Sequence, residues 1–419
     1  MGTTTEVTSP PLPNQSPKVL HDRDAAVGYV AMVCFKHGPP RLLGVELEWT
    51  VHHDSDPARA LDTSLLSLAL RPHAPQTIDP HNAQLPLPAG SLITVEPGGQ
   101  VEISTPPTRS AAELICVATA DAATLAGLLG EYGLVLGHYG TDPHRAPKRL
   151  LQVPRYEAMQ AAFDLIGPHG SQMMCSTASM QVCLDAGEAD QCAARWAAAN
   201  ALGPTLVAIF ANSPHLNGRR TGWASSRLRA TLGTCPPFTL PPSPSDDPAG
   251  QWAAMAMAAP VICVRGGGPS WAAPPGLTFS DWIAEPERVG RPPTFQDLDY
   301  HLSTLFPPVR PKGYLEIRYL DAQPGSGWVT PFVLLAALMA RPSTIDQVLA
   351  LTQASCQRWF EAARDGLADP VLGVSAHKVI QLGADCLDHL DLTATQHAQV
   401  LADLALRLEI ISTIQRCST

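Results

Sequence analysis

Stretches of alternating apolar and polar residues, and stretches of helical spacing, divide the chain into predicted strands and helices. Alternation is typical of a strand with one buried face, whereas apolar residues three and four positions apart are typical of a helix. The pattern predicts strands at residues 42–51, 91–95, 100–104, 134–139 and 313–321, and a strand or hairpin at residues 172–184. It predicts helices at residues 22–33, 108–132, 155–166 and 189–212, and a helical portion at about residues 328–419 with a break near Asp369-Pro370.

Strands and helices are mixed along the chain without a regular strand–helix–strand alternation. This order favours an α+β fold with an antiparallel sheet over a parallel one. Residues 1–20 are rich in Thr, Ser and Pro, and they are predicted to form a disordered N-terminal tail. Residues 21–419 are then expected to form a single domain, with long loops at residues 235–250 and 265–276.

Several predicted strands place glutamates on one face. Residues i and i+2 of a strand share a face, so Glu46 and Glu48 point to the same side of the first strand. The same spacing groups further polar pairs, namely Gln100 with Glu102, Ser179 with Gln181, and Glu316 with Arg318. An ordinary amphipathic sheet would explain any one segment. Neighbouring glutamates repel one another, however, so the whole set indicates that cations lie among them.

Mg²⁺ is the cation that these carboxylates favour, because it prefers oxygen ligands and is commonly shared with substrate phosphates. Two or more such ions could bridge the phosphates of a nucleotide and neutralise charge during transfer. No His/Cys spacing typical of zinc is present. The stretch EPGGQVEIST is interpreted as a metal-binding strand, in which Glu96 enters the turn, Gly98 and Gly99 let the chain pass close to a ligand, and Glu102 returns on the metal face.

The charge and cysteine content restrict the partners and the compartment. The 419 residues include 28 Lys and Arg against 38 Asp and Glu, a net charge of −10, so we expect neither a nucleic acid nor an anionic membrane as a partner. No uninterrupted apolar run approaches the ~20 residues of a membrane helix, and the first residues lack a secretory pattern. The 10 scattered Cys indicate buried thiols, which predicts a cytoplasmic protein. The oligomeric state stays open.

Five motifs together resemble the glutamate–cysteine ligases, also called γ-glutamylcysteine synthetases. They are GVELEWT, EPGGQVEIST, PRYEAMQ, MMCSTASMQVCLDAG and LEIRYLDA. Residues 298–322 are similar throughout to the actinobacterial branch that serves ergothioneine synthesis, and the resemblance runs from about residue 22 to the C-terminus. It implies a glutamine-synthetase-like catalytic fold, in which a curved antiparallel β-sheet forms a funnel with surrounding helices, and it identifies residues 21–419 as one catalytic domain.

The resemblance also implies a reaction and a set of site residues. The reaction is ATP- and Mg²⁺-dependent joining of the L-glutamate γ-carboxylate to the amino group of L-cysteine through a γ-glutamyl phosphate, giving γ-L-glutamyl-L-cysteine, ADP and phosphate. Carried over by motif, the metal-side carboxylates would be Glu46, Glu48, Glu96, Glu102 and Glu316, and Gln100 and Gln181 would line the same funnel. Arg318 could supply positive charge to the phosphoryl group in transfer.

Two arginines are candidates for holding the α-carboxylate of glutamate, because a guanidinium fork matches a carboxylate. They are Arg155 and Arg227, although surface arginines or helix-end pairs would have the same local sequence. Tyr156 and Trp223 could wall the amino-acid pocket, or they could fill the core. Two alternatives to the cysteine ligase stay open: a related ligase that uses another amine, and a non-catalytic homologue that binds glutamate or a nucleotide.

Overall fold

A computed structural model describes residues 18–266 and 270–417 of the protein. Within these ranges the strands are β1 Leu43–Trp49, β2 Val51–His53, β3 Leu92–Val95, β4 Val101–Ser104, β5 Leu134–Leu136, β6 Ser179–Leu184, β7 His215–Leu216, β8 Arg219–Arg220, β9 Val309–Pro311 and β10 Leu315–Asp321. The α-helices are α1 Arg23–Cys34, α2 Thr63–Leu70, α3 Ala111–Gly130, α4 Pro154–Asp164, α5 His169–Ser176, α6 Cys192–Ala201, α7 Gly203–Phe210, α8 Ser226–Leu232, α9 Pro248–Ala258, α10 Phe279–Ala284, α11 Phe295–Leu302, α12 Val329–Leu338, α13 Pro342–Thr352, α14 Trp359–Asp365, α15 Pro370–Asp385 and α16 Ala394–Cys417.

The central element of the described chain is an antiparallel sheet of six strands in the order β3-β4-β1-β6-β10-β9. Its alternate residues Val45, Leu47, Ile103 and Val182 are each at most 2% exposed and belong to the hydrophobic core. The opposite face carries the polar residues of the same strands. The sheet begins at β3 and ends at β9, so it is not closed into a barrel. The predicted α+β fold with an antiparallel sheet is confirmed.

The helical portion predicted from about residue 328 is present as α12 to α16. Every residue of α12 is buried, and this helix contacts β6, α15 and α16. The predicted break at Asp369-Pro370 is confirmed, because the Asp369 carboxylate caps α15 by accepting hydrogen bonds from the backbone N–H groups of Val371 and Leu372 at 3.0 and 2.9 Å. Proline at the first helical position needs no hydrogen-bond acceptor there.

Residues 172–184 form a helix followed by a strand, so the predicted strand is wrong for its first half. Helix α5 ends at Ser176, and β6 begins only at Ser179. The carbonyl groups at the end of α5 find donors elsewhere, since the side-chain amide of Gln100 donates to the oxygens of Met174 and Thr177 at 3.3 and 2.9 Å. Such a contact across 74 or more residues leaves no local pattern in the sequence.

Two other predicted boundaries differ from the structure. The helix predicted at residues 189–212 is divided into α6 and α7, which meet at Leu202. A Cβ atom at Gly203 would lie 1.9 Å from the Trp359 ring, so glycine lets α7 approach α14 closely. Of the predicted tail, residues 1–17 lie outside the described residues. Val19 forms a β-bridge with Thr294 and Leu20 is buried, so these two residues belong to the folded part.

Helix α3 is long and apolar enough to cross a membrane by length and composition alone, and so is the bent pair of α12 and α13. Within the described fold, α3 packs on the sheet through buried residues such as Leu114 and Ala118. Its Asp121 is fully buried and accepts hydrogen bonds from the backbone N–H groups of Ala89 and Ser91, both at 2.8 Å. These contacts make α3 an element of the domain packing.

The buried His301 is expected to make the protein less stable in acid. Burial lowers its pKa from the ordinary value of 6.5 to about 4, and its Nε2 is 2.8 Å from the Ala256 carbonyl oxygen. Because the unfolded chain takes up this proton first, the stabilisation is complete above about pH 6.5 and is lost as the pH falls towards 4. The expected loss at pH 5 is about 2 kcal/mol.

Gln has an amide N–H that can replace the ring N–H of His301, but it does not titrate. His301→Gln should therefore reduce the difference in unfolding free energy between pH 7 and pH 5 by about 2 kcal/mol. Urea unfolding at both pH values measures it. Replacement of the exposed His81 by Gln is the matched control. An unaltered pH dependence in His301→Gln would show that other groups cause the acid sensitivity.

Candidate active site

The polar face of the sheet lines a cavity of about 170 Å³. Nine of the residues predicted from the sequence line it, namely Glu46, Glu48, Glu96, Glu102, Arg155, Tyr156, Gln181, Arg227 and Arg318. Three predicted residues, Gln100, Trp223 and Glu316, are not part of the lining. Five of the nine, namely Glu46, Glu48, Glu102, Gln181 and Arg318, were grouped by the rule that alternate strand residues share a face.

Strand pairing brings the carboxylates together. Glu48 on β1 lies directly opposite Glu102 on β4, and Glu46 lies opposite Gln181 on β6. Paired residues of an antiparallel sheet point to the same side, so these side chains enter one space. Glu96 follows β3 and completes the acidic side of the cavity.

Glu102 lies at the centre of this acidic cluster. Its Oε1 accepts a hydrogen bond from Thr94 Oγ1 at 2.9 Å, and its Oε2 accepts one from Gln181 Nε2 at 3.2 Å. Burial, followed by repulsion from Glu46, Glu96 and Glu48, raises the pKa of Glu102 well above its usual value. When no cation is bound, protonation of these carboxylates reduces the repulsion between them.

The pKa values of Glu48 and Glu46 are also raised. Burial raises the pKa of Glu48 to about 7, although hydrogen bonds from the backbone N–H and hydroxyl of Ser179 at 2.9 and 3.1 Å and the charge of Arg227 oppose the rise. Burial and then repulsion from Glu316 raise the pKa of Glu46. Both carboxylates would be ionised more readily beside a bound cation.

The resemblance places Glu316 among the metal-side carboxylates, which stays a prediction, and in the structure Glu316 is paired with three cations. Both of its oxygens are taken by cations: Arg310 Nε and Arg318 Nη1 each lie 2.7 Å from Oε2, and Lys312 Nζ lies 3.3 Å from Oε1. Burial alone would raise the pKa of Glu316, but the three cations together hold it well below its usual range. The fully buried Glu316 therefore holds the basic side of the cavity together.

Arg310 and Lys312 are site residues that the sequence reasoning missed. Arg310 pairs with Glu316 across β9 and β10, and both cations line the cavity. Arg310 and Lys312 are two residues apart and lie just before the YLEIRYL strand. Residues at this spacing share a face of an extended segment, and this is the signal that could have identified them. Arg318 Nη1 also donates to Gln181 Oε1, so the amide of Gln181 connects the basic side to Glu102.

The candidate carboxylate-binding arginines both line the cavity. Arg155 on α4 donates from Nη1 and Nη2 to the hydroxyl and carbonyl oxygens of Ser303 at 2.9 and 3.0 Å, and its guanidinium lies 5.0 Å from the centre of the Tyr300 ring. Arg227 on α8 is 4% exposed and pairs with Asp321 at 2.8 Å. Tyr156, 6% exposed, lies beside Arg155 in the cavity wall.

Gln100 and Trp223 have other contacts than predicted. Gln100 immediately precedes β4, and its side-chain amide donates to the carbonyl oxygens of Met174 and Thr177, two residues that line the cavity. The Trp223 ring packs against Arg229, whose guanidinium carbon lies 4.8 Å from the ring centre.

The first glycine of EPGGQ, Gly98, lies close to another part of the chain. A Cβ at Gly98 would lie 2.2 Å from the Cys175 carbonyl oxygen. The approach of α5 therefore requires glycine at position 98.

The cavity fits a hard divalent cation in charge and donor type. Glu46, Glu48, Glu96 and Glu102 offer carboxylate oxygens only, which are the ligands that Mg²⁺ prefers. Within residues 18–266 and 270–417, no three Asp, Glu, His or Cys side chains converge on one point as a preformed metal site. Burial, and then repulsion from neighbouring glutamates, raises the pKa values of Glu46 and Glu102, and a cation bound beside them would lower both.

Comparison with known protein families shows to which family the chain belongs. The family described as glutamate-cysteine ligase family 2 (GCS2) matches residues 42–411. The chain belongs to this family. It is 38% identical over 374 residues to a protein named glutamate–cysteine ligase EgtA from Mycobacterium tuberculosis, and the match covers 87% of this chain and 84% of that one. The EgtA of Mycolicibacterium smegmatis is 38% identical over 375 residues, covering 86% and 84%.

A solved structure shares the fold at low sequence identity. It is a bifunctional glutathione synthetase from Pasteurella multocida, with a TM-score of 0.51 and 11% identity, and the match covers 96% of this chain and 52% of that one. The open antiparallel sheet with its helices is therefore a fold that this chain shares with that structure.

Proposed function

We propose that the protein joins the γ-carboxylate of L-glutamate to the amino group of L-cysteine, with cleavage of ATP to ADP and phosphate. The observation that carries this proposal is one cavity with buried carboxylates on one side and a cluster of cations on the other. Membership of the glutamate–cysteine ligase family supports it. The resemblance to the actinobacterial branch further supports a role of the product in ergothioneine synthesis. The cytoplasmic location stays a prediction.

The reaction needs an activated carboxylate, because an amine does not displace the oxygen of a free carboxylate. A γ-carboxylate oxygen of glutamate attacks the terminal phosphorus of ATP, and ADP leaves. The cysteine amine then attacks the carbonyl carbon of the γ-glutamyl phosphate, phosphate leaves, and the nitrogen loses a proton. Charge stabilisation and positioning contribute most to such a phosphoryl transfer.

The basic side of the cavity suits the phosphates. Arg310, Lys312 and Arg318 line it, and Glu316 holds their charged groups at 2.7 to 3.3 Å. In this proposal they stabilise the charge on the phosphoryl group in transfer, and Arg155 and Arg227 hold substrate carboxylates. Mg²⁺ held by Glu46, Glu48, Glu96 and Glu102 would neutralise the nucleotide phosphates, and more than one ion can be shared by four carboxylates.

Phosphate release tests the proposal. The purified protein is incubated with ATP, Mg²⁺ and L-glutamate, and L-cysteine is compared with other amino acids and amines. We expect release of ADP and phosphate that requires glutamate, cysteine and Mg²⁺ together, and a product with the mass of γ-glutamylcysteine. Turnover with another amine and none with cysteine would show the related amine ligase. Binding of glutamate or nucleotide without ADP formation would show a non-catalytic homologue.

A further inference from the structure

A bulge in β10 brings Asp321 to the side of the sheet that faces the cavity. The pairing of β10 with β6 shifts between Ile317 and Leu320, so that two residues of β10 lie opposite one residue of β6. An extra residue reverses the alternation of faces. Asp321 therefore pairs with Ser179, which lines the cavity, whereas regular alternation from Glu316 would have placed Asp321 on the opposite face.

Asp321 is the acceptor for four donors. It is 2% exposed, and its Oδ1 accepts hydrogen bonds from Ser225 Oγ and Arg227 Nε, both at 2.8 Å. Its Oδ2 accepts from Ser213 Oγ at 2.7 Å and from the backbone N–H of Asn212 at 2.8 Å. A buried carboxylate with every oxygen bonded in this way is a rigid support for its partners.

Arg227 is held by this network at two points. Its side chain bonds to Asp321, and its backbone N–H donates to Ser213 Oγ at 3.1 Å. The residue lines the cavity, and its buried Nη2 has no hydrogen-bond partner among the described residues. Buried guanidinium nitrogens are rarely left unpaired, and a carboxylate is the acceptor that matches their geometry. The unpaired nitrogen therefore indicates that a ligand carboxylate belongs here.

We propose that Asp321 is a positioning residue that holds Arg227 ready to bind the α-carboxylate of an amino-acid substrate, glutamate or cysteine. The inference rests on the proposed function, since it requires an amino-acid substrate in this cavity. Arg310, Lys312 and Arg318, which are assigned to the nucleotide phosphates, do not bond to Asp321 in the described chain. Loss of the Asp321 carboxylate should therefore weaken amino-acid binding and leave nucleotide binding unchanged.

Replacement of Asp321 by Asn tests the inference. Asn has the same size, but its amide nitrogen cannot accept the hydrogen bonds that Oδ2 accepts from Ser213 and Asn212. We expect the KM for glutamate or for cysteine to rise by about 10- to 100-fold, equivalent to one lost hydrogen bond to a charged group. The KM for ATP should stay within about threefold, and the substrate whose KM rises identifies the carboxylate.

Asp297→Asn is the matched control, because Asp297 also pairs with an arginine, Arg291, at 2.7 Å but lies outside the cavity lining. It should lower stability without changing any KM. A double-mutant cycle with Arg227→Ala shows whether Asp321 acts through Arg227, in which case Asp321→Asn adds little to the KM of the Arg227→Ala variant.

Additive effects, an equal rise in the KM for ATP, or a loss confined to kcat would overturn the inference. Should Asp321→Asn fail to fold, Ser213→Ala removes one donor to Asp321 and should raise the same KM by a smaller factor. Calorimetry measures the binding of glutamate and of cysteine to the wild type and to the Asp321→Asn and Ser213→Ala variants. These measurements test the positioning role of Asp321 separately from the ligase reaction. An inactive wild type that binds an amino acid more tightly than its variants would refute only the ligase reaction.

Discussion

Glu102→Gln is expected to lower turnover by about a hundredfold or more, which is the usual effect of removing a charged group that acts on a metal or a reacting phosphate. Glu102 is 9% exposed, and burial followed by repulsion from Glu46, Glu96 and Glu48 raises its pKa well above the usual value. Gln removes the negative charge at constant size. The loss should be accompanied by a higher Mg²⁺ requirement, measured as phosphate release against Mg²⁺ concentration.

The fold should tolerate this change, because burial and repulsion already favour the neutral form of Glu102 when no cation is bound. The Tm of Glu102→Gln without divalent cations is therefore expected to equal that of the wild type. Glu157→Gln is the matched control, since Glu157 lies 3.8 Å from Arg149, is half exposed and is absent from the cavity lining. Near-normal turnover of Glu102→Gln at low Mg²⁺ would remove Glu102 from the metal-side carboxylates.

Arg318→Ala is expected to slow formation of the γ-glutamyl phosphate by about 10²- to 10³-fold, the effect of losing one preorganised charge at a transferring group. Arg318 Nη1 contacts both Glu316 and Gln181, and the negative charges of Glu316 and Glu46 raise its pKa, so it stays charged. Single-turnover formation of ADP with ATP and glutamate measures this step before cysteine enters.

Nucleotide binding should change far less than the rate in Arg318→Ala, because Arg310 and Lys312 remain paired with Glu316. Binding of ATP is measured by titration on the same preparation. Arg364→Ala, which removes an exposed arginine paired with Asp365, serves as the control for loss of charge. An unchanged rate of ADP formation would exclude Arg318 from the phosphoryl-transfer step.

The metal-side carboxylates show how much of the site can be predicted from local patterns in the sequence. The alternation of GVELEW and QVEIS predicted that Glu46, Glu48 and Glu102 face one side, and the strand pairing confirms this. Gln100 lies one residue before β4, and its side chain is bonded to the end of α5 instead of lining the cavity, a contact between distant residues that local alternation does not show. For Trp223 the sequence left open whether it walls the pocket or fills the core, and in the structure it packs against the core and on Arg229.

The amino-acid sequence by itself determined the class of fold, the face on which most of the acidic residues lie, and the family, because alternation and long motifs are local properties of the chain. Only the tertiary structure decided that Glu316 is covered by three cations instead of lining the cavity, and that Asp321 supports Arg227. Both outcomes depend on which strands are neighbours and on one bulge in β10. Strand pairing and hydrogen bonds between residues far apart in the chain set these features, and such contacts leave no local pattern in the sequence.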